Sequence, residues 1–340
     1  MDNNRNYQFY YYQIYGLTLR TNQPLAVVAS LSEAADVSDV SIHLARTWEE
    51  SPMPLPPSAW QPSPKHPLLK TATLEEGTYL LLSFIGDEQA YAEFVINPSG
   101  EQVWMAVGEG ANQRFVDSLL LGIVLGCILR IRGVTCLHGN VVIVENQGIA
   151  ILGAKGAGKS TTTAALLQHG VRLLADDVAA LSEQKNTFLV QPGYPGLRLH
   201  EDVATQLYGS YKHLEVLTPK PEIWPAKRNL YLSNDKELFL KIPVYLAAIY
   251  ILEKRNLNLQ SVSIEPVSLT TGLFSLMQNT YVDWMLNQTE QKNELQLLSR
   301  LVSTVPVRRV YRPDNLAMLP QLCEAIINDA HTTHLSYSKS

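Results

Sequence analysis

The stretch Ile149-Ala-Ile-Leu-Gly-Ala-Lys-Gly-Ala-Gly-Lys-Ser-Thr161 decides the fold. It matches the pattern Gly-x-x-x-x-Gly-Lys-Ser/Thr, and it lies between a short apolar strand and a helix predicted over residues 161–169. Glycines in such a loop let successive backbone N–H groups turn towards phosphate oxygens, and the helix N-terminus adds partial positive charge. The stretch therefore predicts a phosphate-binding loop in an α/β domain, with a chance glycine turn as the alternative.

The loop gives separate roles to two side chains. Lys159 would reach the β and γ phosphates as a point charge, and the Ser160 hydroxyl would ligate Mg²⁺. We expect a bound nucleotide to contact Gly153, Ala154, Lys155, Gly156, Ala157, Gly158, Lys159, Ser160 and Thr161. A loop of this kind indicates a nucleotide but no particular reaction, so the reaction must be inferred from acids nearby.

Two acids, Asp176 and Asp177, end the next predicted strand, over residues 171–175. One helix separates this strand from the loop, and ligand groups in open α/β sheets lie at the carboxyl ends of the strands. One carboxylate could ligate Mg²⁺, and the other could accept a proton from an attacking hydroxyl. A solvated Asp-Asp turn is the alternative.

His138 precedes a hairpin predicted over residues 141–144 and 149–152. A neighbouring strand would place its imidazole near the γ-phosphate, where it could stabilise transferred charge or tune an aspartate. A packed core histidine is the alternative. Positive side chains that could bind phosphate or an acidic substrate, each also readable as a surface charge, are Lys155, Lys227 and, as preferred candidates, Arg198 and Arg228.

The histidine, the strand pair, the glycine loop and the run Arg-Leu-Leu-Ala-Asp-Asp together resemble the catalytic domain of HPr kinase/phosphorylase, a P-loop fold related to phosphoenolpyruvate carboxykinase. The resemblance covers residues 135–181 and implies that Ser160 and Asp177 hold Mg²⁺. It also implies that Asp176 is the base acting on a hydroxyl nucleophile, with His138 beside it. Further stretches are similar to HPr-kinase-like proteins found beside peptide-modifying enzymes, at residues 194–200, 243–252 and 305–310.

The chain is predicted to contain two domains. Residues 1–112 form a smaller, mostly β N-terminal domain, because β-rich runs recur there over residues 7–19, 40–44, 79–84 and 91–96. Residues 113–340 form the α/β P-loop catalytic domain of the HPr kinase type. This domain opens with an apolar helix over residues 113–131 and continues with a strand over 244–252 and helices over about 270–286, 294–303 and 316–329.

The composition is that of an ordinary globular protein. The 340 residues are 46% hydrophobic, and 27 Lys and Arg face 32 Asp and Glu, a formal net charge of −5. No basic excess favours nucleic acid, the apolar run over residues 118–129 is too short to cross a bilayer, and no signal peptide is visible, so we expect a cytoplasmic protein. The cysteines lack metal-ligand spacing and are expected as small core residues: Cys127, Cys136 and Cys323.

These observations predict an ATP- and Mg²⁺-dependent phosphotransferase that moves the γ-phosphoryl group to a hydroxyl of a peptide, a protein or a small-molecule alcohol. The alternative is a regulatory or scaffold module that binds nucleotide with little turnover. A GTPase or a transporter-type ATPase is disfavoured, because the sequence contains no Asn-Lys-x-Asp and no Leu-Ser-Gly-Gly motif. Neither nucleic acid nor a membrane is an expected partner, and the resemblance makes a homo-oligomer plausible.

Overall fold

The computed structural model describes residues 8–32, 35–45, 54–85, 90–108, 110–185, 187–217, 227–232 and 237–337. The chain forms two compact units. Among the described residues, the first comprises those up to Gly133 together with Leu217, and the second comprises the others from Val134 onwards. The sequence placed the boundary between residues 112 and 113 instead. The difference is a single helical segment, over residues 113–131, which the structure assigns to the first unit.

This helical segment consists of α1 (Gln113–Leu119), a π-helical turn (Leu120–Val124) and α2 (Leu125–Ile131). It belongs to the first unit because its buried residues pack there. The Asp117 carboxylate accepts a hydrogen bond from the backbone N–H of Ala26, and Gly100 lies against the side chain of Ile131. An apolar helix needs cover on most of its sides, and the preceding β module supplies it.

The strands of the first unit are β1 (Tyr10–Ile14), β2 (Leu17–Thr21), β3 (Val40–Leu44), β4 (Gln61–Pro62), β5 (Leu69–Leu74), β6 (Gly77–Ile85), β7 (Ala90–Ile96) and β8 (Gln102–Val107). They form one eight-stranded sheet in the order β1-β2-β3-β8-β7-β6-β5-β4. Strand β3 is parallel to both of its neighbours, and the other pairs are antiparallel. Strands occur in each β-rich run that the sequence predicts; Tyr7 lies outside the described residues.

The second unit mixes strands and helices, in agreement with the predicted α/β class. Its strands are β9 (Thr135–Val144), β10 (Gln147–Leu152), β11 (Arg172–Ala175), β12 (Val178–Gln184), β13 (Thr187–Val190), β14 (Gly196–His200), β15 (Glu215–Val216), β16 (Lys227–Tyr231), β17 (Val244–Leu252), β18 (Ser263–Pro266) and β19 (Val307–Tyr311). Its helices are α3 (Lys159–Gln168), α4 (Glu201–Tyr208), α5 (Leu269–Gln278), α6 (Gln288–Thr304) and α7 (Leu319–Tyr337).

The main sheet of this unit places two strand ends at one edge. Strand β9 runs antiparallel to β10 on one side and to β11 on the other, and β10 is parallel to β17. Along β9, Gly139 pairs with Leu152 of β10, and Val141 pairs with Ala175 of β11. Since β10 and β11 therefore run in the same direction, the segments that follow Leu152 and Ala175 begin side by side.

One predicted helix is shortened by contacts with β9. The helix expected over residues 270–286 is α5, which ends at Gln278. The residues after it leave the helix because they pair with the strand: the Tyr281 N–H donates to the Cys136 carbonyl at 2.8 Å. In this segment, strand pairing overrides helix propensity.

The core of the second unit surrounds α3, which packs against α7 and β14. The α3 residues Ala164 and Leu166 are fully buried in it. The three cysteines are buried, as the sequence predicts, and none of them forms a disulfide within the described part of the chain. Within the described residues, no helix combines the length and the apolar character that a membrane span requires.

We expect Gly139→Ala to destabilise the protein by about 1–3 kcal/mol, because a Cβ at this position would lie 2.7 Å from the Ile151 carbonyl oxygen. The matched control is Gly272→Ala in α5, where the nearest side-chain atoms, of Val307, would be 3.5 Å away. There the added methyl should be neutral or stabilising by up to about 1 kcal/mol. Urea denaturation measures both; a Gly139→Ala protein as stable as wild type would contradict this close approach of β9 and β10.

Candidate active site

The glycine-rich stretch forms a tight loop, here named the phosphate loop, over residues 153–158. Strand β10 ends just before it, and α3 begins just after it, at Lys159. The first residue, Gly153, has φ +146° and could not carry a side chain, since a Cβ would lie 2.8 Å from the Leu252 carbonyl oxygen. The loop therefore depends on glycine at its start, and it leads directly into a helix N-terminus suited to anions.

Lys159 points back over the phosphate loop. Its side chain is buried, and its Nζ donates a hydrogen bond of 2.7 Å to the Gly153 carbonyl oxygen. Burial lowers the pKa of Lys159 to about 8, while the Asp176 carboxylate acts in the opposite direction. The ammonium form still dominates at pH 7, so a positive charge is held within the loop where phosphates would lie.

Arg312, which follows β19, also binds the phosphate loop. Its Nη2 donates to the Ala157 carbonyl oxygen, and its Nη1 donates to the Glu253 carbonyl oxygen at 3.0 Å. Burial lowers the pKa of Arg312 only to about 10, so the guanidinium remains charged. Nothing local in the sequence connects this residue to the loop.

The acid pair, Asp176 and Asp177, follows β11 directly. The Asp176 side chain is buried, with 1% of the residue exposed, whereas the Asp177 side chain is 24% exposed. Asp177 has φ +66°, a left-handed conformation that aspartate tolerates, and its backbone N–H lies 3.4 Å from the Asn140 Oδ1 acceptor. Because of this bend, both carboxylates face the same site. Two adjacent residues on a straight strand would point to opposite sides.

Arg198, on β14, binds both members of the acid pair. Its backbone N–H and Nε contact the Asp176 Oδ2 atom at 3.3 and 3.4 Å, and its Nη2 pairs with the Asp177 Oδ2 atom. The other Asp176 oxygen, Oδ1, is buried and makes no hydrogen bond to any described residue. A buried carboxylate oxygen without a donor is costly, and this is the atom that could accept a proton from a bound hydroxyl.

His138 lies on β9 and pairs with Val178 of β12. Burial, followed by the positive charges of Lys159 and Arg198, lowers the pKa of His138 to about 4. The imidazole is therefore neutral at pH 7, and its ring lies 5.6 Å from that of Tyr281. A neutral imidazole could donate or accept one hydrogen bond in the site, but it would not supply positive charge.

Lys227 and Arg228 are adjacent on β16, and their side chains point to opposite faces because side chains alternate along a strand. Burial and the positive charge of Arg198 lower the pKa of Lys227, and the Asp176 carboxylate raises it, so this lysine lies within the electrostatic field of the acid pair. Arg228 instead binds Glu201 of α4 at 2.7 Å, and its guanidinium covers the ring of Tyr211 at 4.8 Å. The sequence preferred Arg228, whereas the structure brings Lys227 to the site and leaves Arg228 on the opposite face of β16.

Sequence reasoning missed two asparagines that support the site. Asn140 is fully buried on β9 and donates through Nδ2 to the Thr163 Oγ1 atom of α3 at 3.0 Å. A lone amide within the apolar run of β9 was a signal that could have identified it. Asn279 accepts a hydrogen bond from the Gly153 N–H through Oδ1 at 3.1 Å. No local pattern points to Asn279, because its partner is far away in the sequence.

The donors for a divalent cation are few and are all oxygen atoms. Ser160 is half-buried in the first turn of α3, and Asp177 is the more exposed carboxylate of the acid pair. Among the described residues, no three His, Cys, Asp or Glu side chains cluster in the manner of a preformed metal cage. Such a donor set fits Mg²⁺, which proteins usually hold through one or two side-chain oxygens together with phosphate oxygens of a bound nucleotide.

Comparisons with known proteins find similarity in the segment that contains these residues. Residues 131–197 match the family model described as the HPr Serine kinase C-terminal domain. The HPr kinase/phosphorylase of Clostridium botulinum (strain Eklund 17B / Type B) is 27% identical over 103 residues, which cover 30% of this chain and 33% of that protein. The HPr kinase/phosphorylase of Shouchella clausii (strain KSM-K16) is 42% identical over 62 residues, 18% of this chain and 19% of that protein.

Among solved structures, the Hpr(Ser) kinase/phosphatase from Coxiella burnetii aligns with a TM-score of 0.32 and 12% sequence identity, over 58% of this chain and 98% of that chain. The matched stretches span a third or less of the length of the two curated relatives above. The segment that matches the family model contains His138, the phosphate loop and the acid pair. The sequence comparisons thus confirm the predicted resemblance: the chain is HPr kinase-like over the segment that carries these residues.

Proposed function

We propose that this protein is an ATP- and Mg²⁺-dependent kinase that transfers the γ-phosphoryl group to a hydroxyl, either of a Ser or Thr in a peptide or protein or of a small-molecule alcohol. The observation that carries the proposal is the buried Asp176 carboxylate, held by Arg198 in the electrostatic field of Lys159. The curated relatives are named HPr kinase/phosphorylase, and the proposal extends the kinase part of that name to this chain.

In the proposed reaction, the acceptor oxygen attacks the γ-phosphorus, the bond to the β–γ bridging oxygen breaks, and ADP leaves. Asp176 accepts the hydroxyl proton as the new O–P bond forms. Lys159 and the N–H groups of the phosphate loop bind the phosphates, and Arg198 stabilises charge on the transferred group. Ser160 and Asp177 would hold Mg²⁺, which neutralises phosphate charge when bound.

The alternative, a scaffold that holds nucleotide without turnover, accounts less well for the acid pair. Binding a triphosphate needs positive and N–H groups, and a buried carboxylate beside them would repel it. Keeping Asp176 buried costs free energy that nucleotide binding alone does not explain. A base for a hydroxyl nucleophile, in contrast, needs this carboxylate at this place.

We expect Asp176→Asn to bind ATP with nearly wild-type affinity and to transfer phosphate about 10²–10⁴-fold more slowly, because the amide cannot accept the proton. Single-turnover transfer from labelled ATP into a cell extract, followed by mass spectrometry for a gain of one phosphate, measures this. Asp36→Asn, at an exposed position of the first unit, is the matched control. A wild-type transfer rate in Asp176→Asn would show that Asp176 is not the base.

Lys159→Ala should abolish nucleotide-dependent turnover and weaken ATP binding at least tenfold, because the charge that faces the phosphates is lost. Lys292→Ala, an exposed position in α6, tests for a general effect of removing a lysine. Binding is measured by calorimetry and turnover by ADP release. Unchanged ATP affinity in Lys159→Ala would contradict the assignment of the phosphate loop.

The affinity for ATP should fall as the pH rises through about 8. Burial lowers the pKa of Lys159 to about 8 in the free protein, and only the ammonium form below that pH attracts phosphate. In Lys159→Arg, the guanidinium stays charged over this range, so any remaining ATP binding should lose the alkaline decline. ATP titrations between about pH 6.5 and 9.5 compare the two proteins. If the ATP affinity of both proteins falls in parallel with rising pH, a group other than Lys159 causes the alkaline decline.

A further inference from the structure

Asn279, the residue that follows α5, makes hydrogen bonds in four directions. Its backbone N–H donates to the Leu276 carbonyl at 2.9 Å, and its Nδ2 donates to the Ser275 carbonyl at 2.8 Å, which fixes it to the end of the helix. Its Oδ1 accepts from the Gly153 N–H at 3.1 Å, and its carbonyl oxygen accepts from the His138 N–H at 2.6 Å. One residue therefore contacts both the start of the phosphate loop and the histidine of β9.

The contact with Gly153 bears on Lys159. Asn279 holds the peptide group before the Gly153 Cα, because it accepts a hydrogen bond from the Gly153 N–H. Lys159 holds the peptide group after this Cα, because it donates to the Gly153 carbonyl oxygen at 2.7 Å. Glycine has a wide choice of backbone angles, so the direction of that carbonyl is fixed only if the peptide before it is also held. Asn279 thereby limits where the ammonium of Lys159 can lie.

The contact with His138 is part of a short pairing between the segment after α5 and β9. Thr280 forms a bridge with Leu137, and the Tyr281 N–H donates to the Cys136 carbonyl. This pairing fixes the position of His138 along β9 relative to the phosphate loop. A residue that served only to end α5 would need its contacts to Ser275 and Leu276 but not those to the loop and the strand.

We propose that Asn279 is a positioning residue of the nucleotide site, which sets the start of the phosphate loop and, through Gly153, the place of the Lys159 ammonium. The inference rests on the proposed function, since it assumes that this loop binds ATP. It assigns a role to a residue outside the segment that matches the family model, which ends at residue 197.

Three variants test the proposal in the full chain. Asn279→Ala removes the acceptor for the Gly153 N–H, whereas Asn279→Asp keeps an oxygen acceptor for it, loses the Nδ2 donor and adds a negative charge beside the loop. Gln278→Ala changes the exposed last residue of α5 and is the control. We expect ATP affinity to fall about tenfold in Asn279→Ala and to be unchanged in Gln278→Ala. In Asn279→Asp the added carboxylate repels phosphate, so this variant is judged by the protection of the Gly153 amide and not by ATP affinity.

Amide hydrogen exchange at Gly153, measured by NMR on protein labelled with ¹⁵N-glycine, gives a readout that needs no nucleotide. The Gly153 amide should exchange faster in Asn279→Ala and remain protected in Asn279→Asp and Gln278→Ala. Melting temperatures establish that each variant is folded at the temperature of the measurement. A protein in which Asn279→Ala only shortened α5 would lose stability without this pattern.

Two results would overturn the proposal. One is a folded Asn279→Ala protein with wild-type ATP affinity, and the other is a Gly153 amide that stays protected in that variant. If Asn279→Ala does not fold, Asn279→Asp decides: loss of Gly153 protection although the acceptor is retained would overturn the role. Failure of the wild-type protein to bind ATP would instead refute the proposed function, while the Gly153 amide would still decide whether Asn279 holds the loop.

Discussion

The pairing of β9 with both β10 and β11 is the constraint on which the candidate site depends. Strand β9 is antiparallel to each neighbour, so the neighbours end at the same edge, beside residues 139–141 of β9. The phosphate loop leaves one of these ends and the acid pair leaves the other. His138, one residue before this stretch, comes to the same place. Groups that are separate in the sequence meet because they border one strand.

Charge balance is the second condition, because the site buries ionic groups of both signs. Lys159 and Asp176 are both less than a tenth exposed, and Arg198 joins the two acids. Each charge offsets part of the desolvation cost of the others, since an isolated buried ion would be strongly unfavourable. The pKa values of Lys159, Lys227 and His138 are all lowered, in part by neighbouring positive groups. A triphosphate would relieve that repulsion, and a neutral ligand would not.

What the sequence could predict follows from how local each feature is. The phosphate loop and its flanking strand and helix were predictable, because glycine spacing and hydrophobic pattern act over a few residues. The acid pair was found for the same reason. The helix predicted over residues 294–303 begins earlier, at Gln288 of α6, and the prediction missed this start although Asn287 and Glu290 form a capping box with local spacing.

Features that depend on register or on distant contacts were not predictable. The choice between Lys227 and Arg228 required the register of β14 on β16, which decides the face on which each side chain lies. The segment over residues 113–131 is helical as predicted, but no sequence pattern tells which unit covers its apolar surface. Asn279 illustrates the limit most clearly: an ordinary polar residue after a helix carries no mark of a partner 126 positions away.

The residues of the site fall into two groups according to their position along the chain. The segment that matches the family model, residues 131–197, holds the groups to which the proposed phosphoryl transfer assigns the chemistry. Arg198, Lys227, Asn279 and Arg312 lie beyond it, and they hold the acids, shape the electrostatic field and support the loop. Groups that orient reactants by a fraction of an ångström can change rate and selectivity without touching the bond that breaks. These four supporting residues therefore lie in a part of the chain that the family model does not cover.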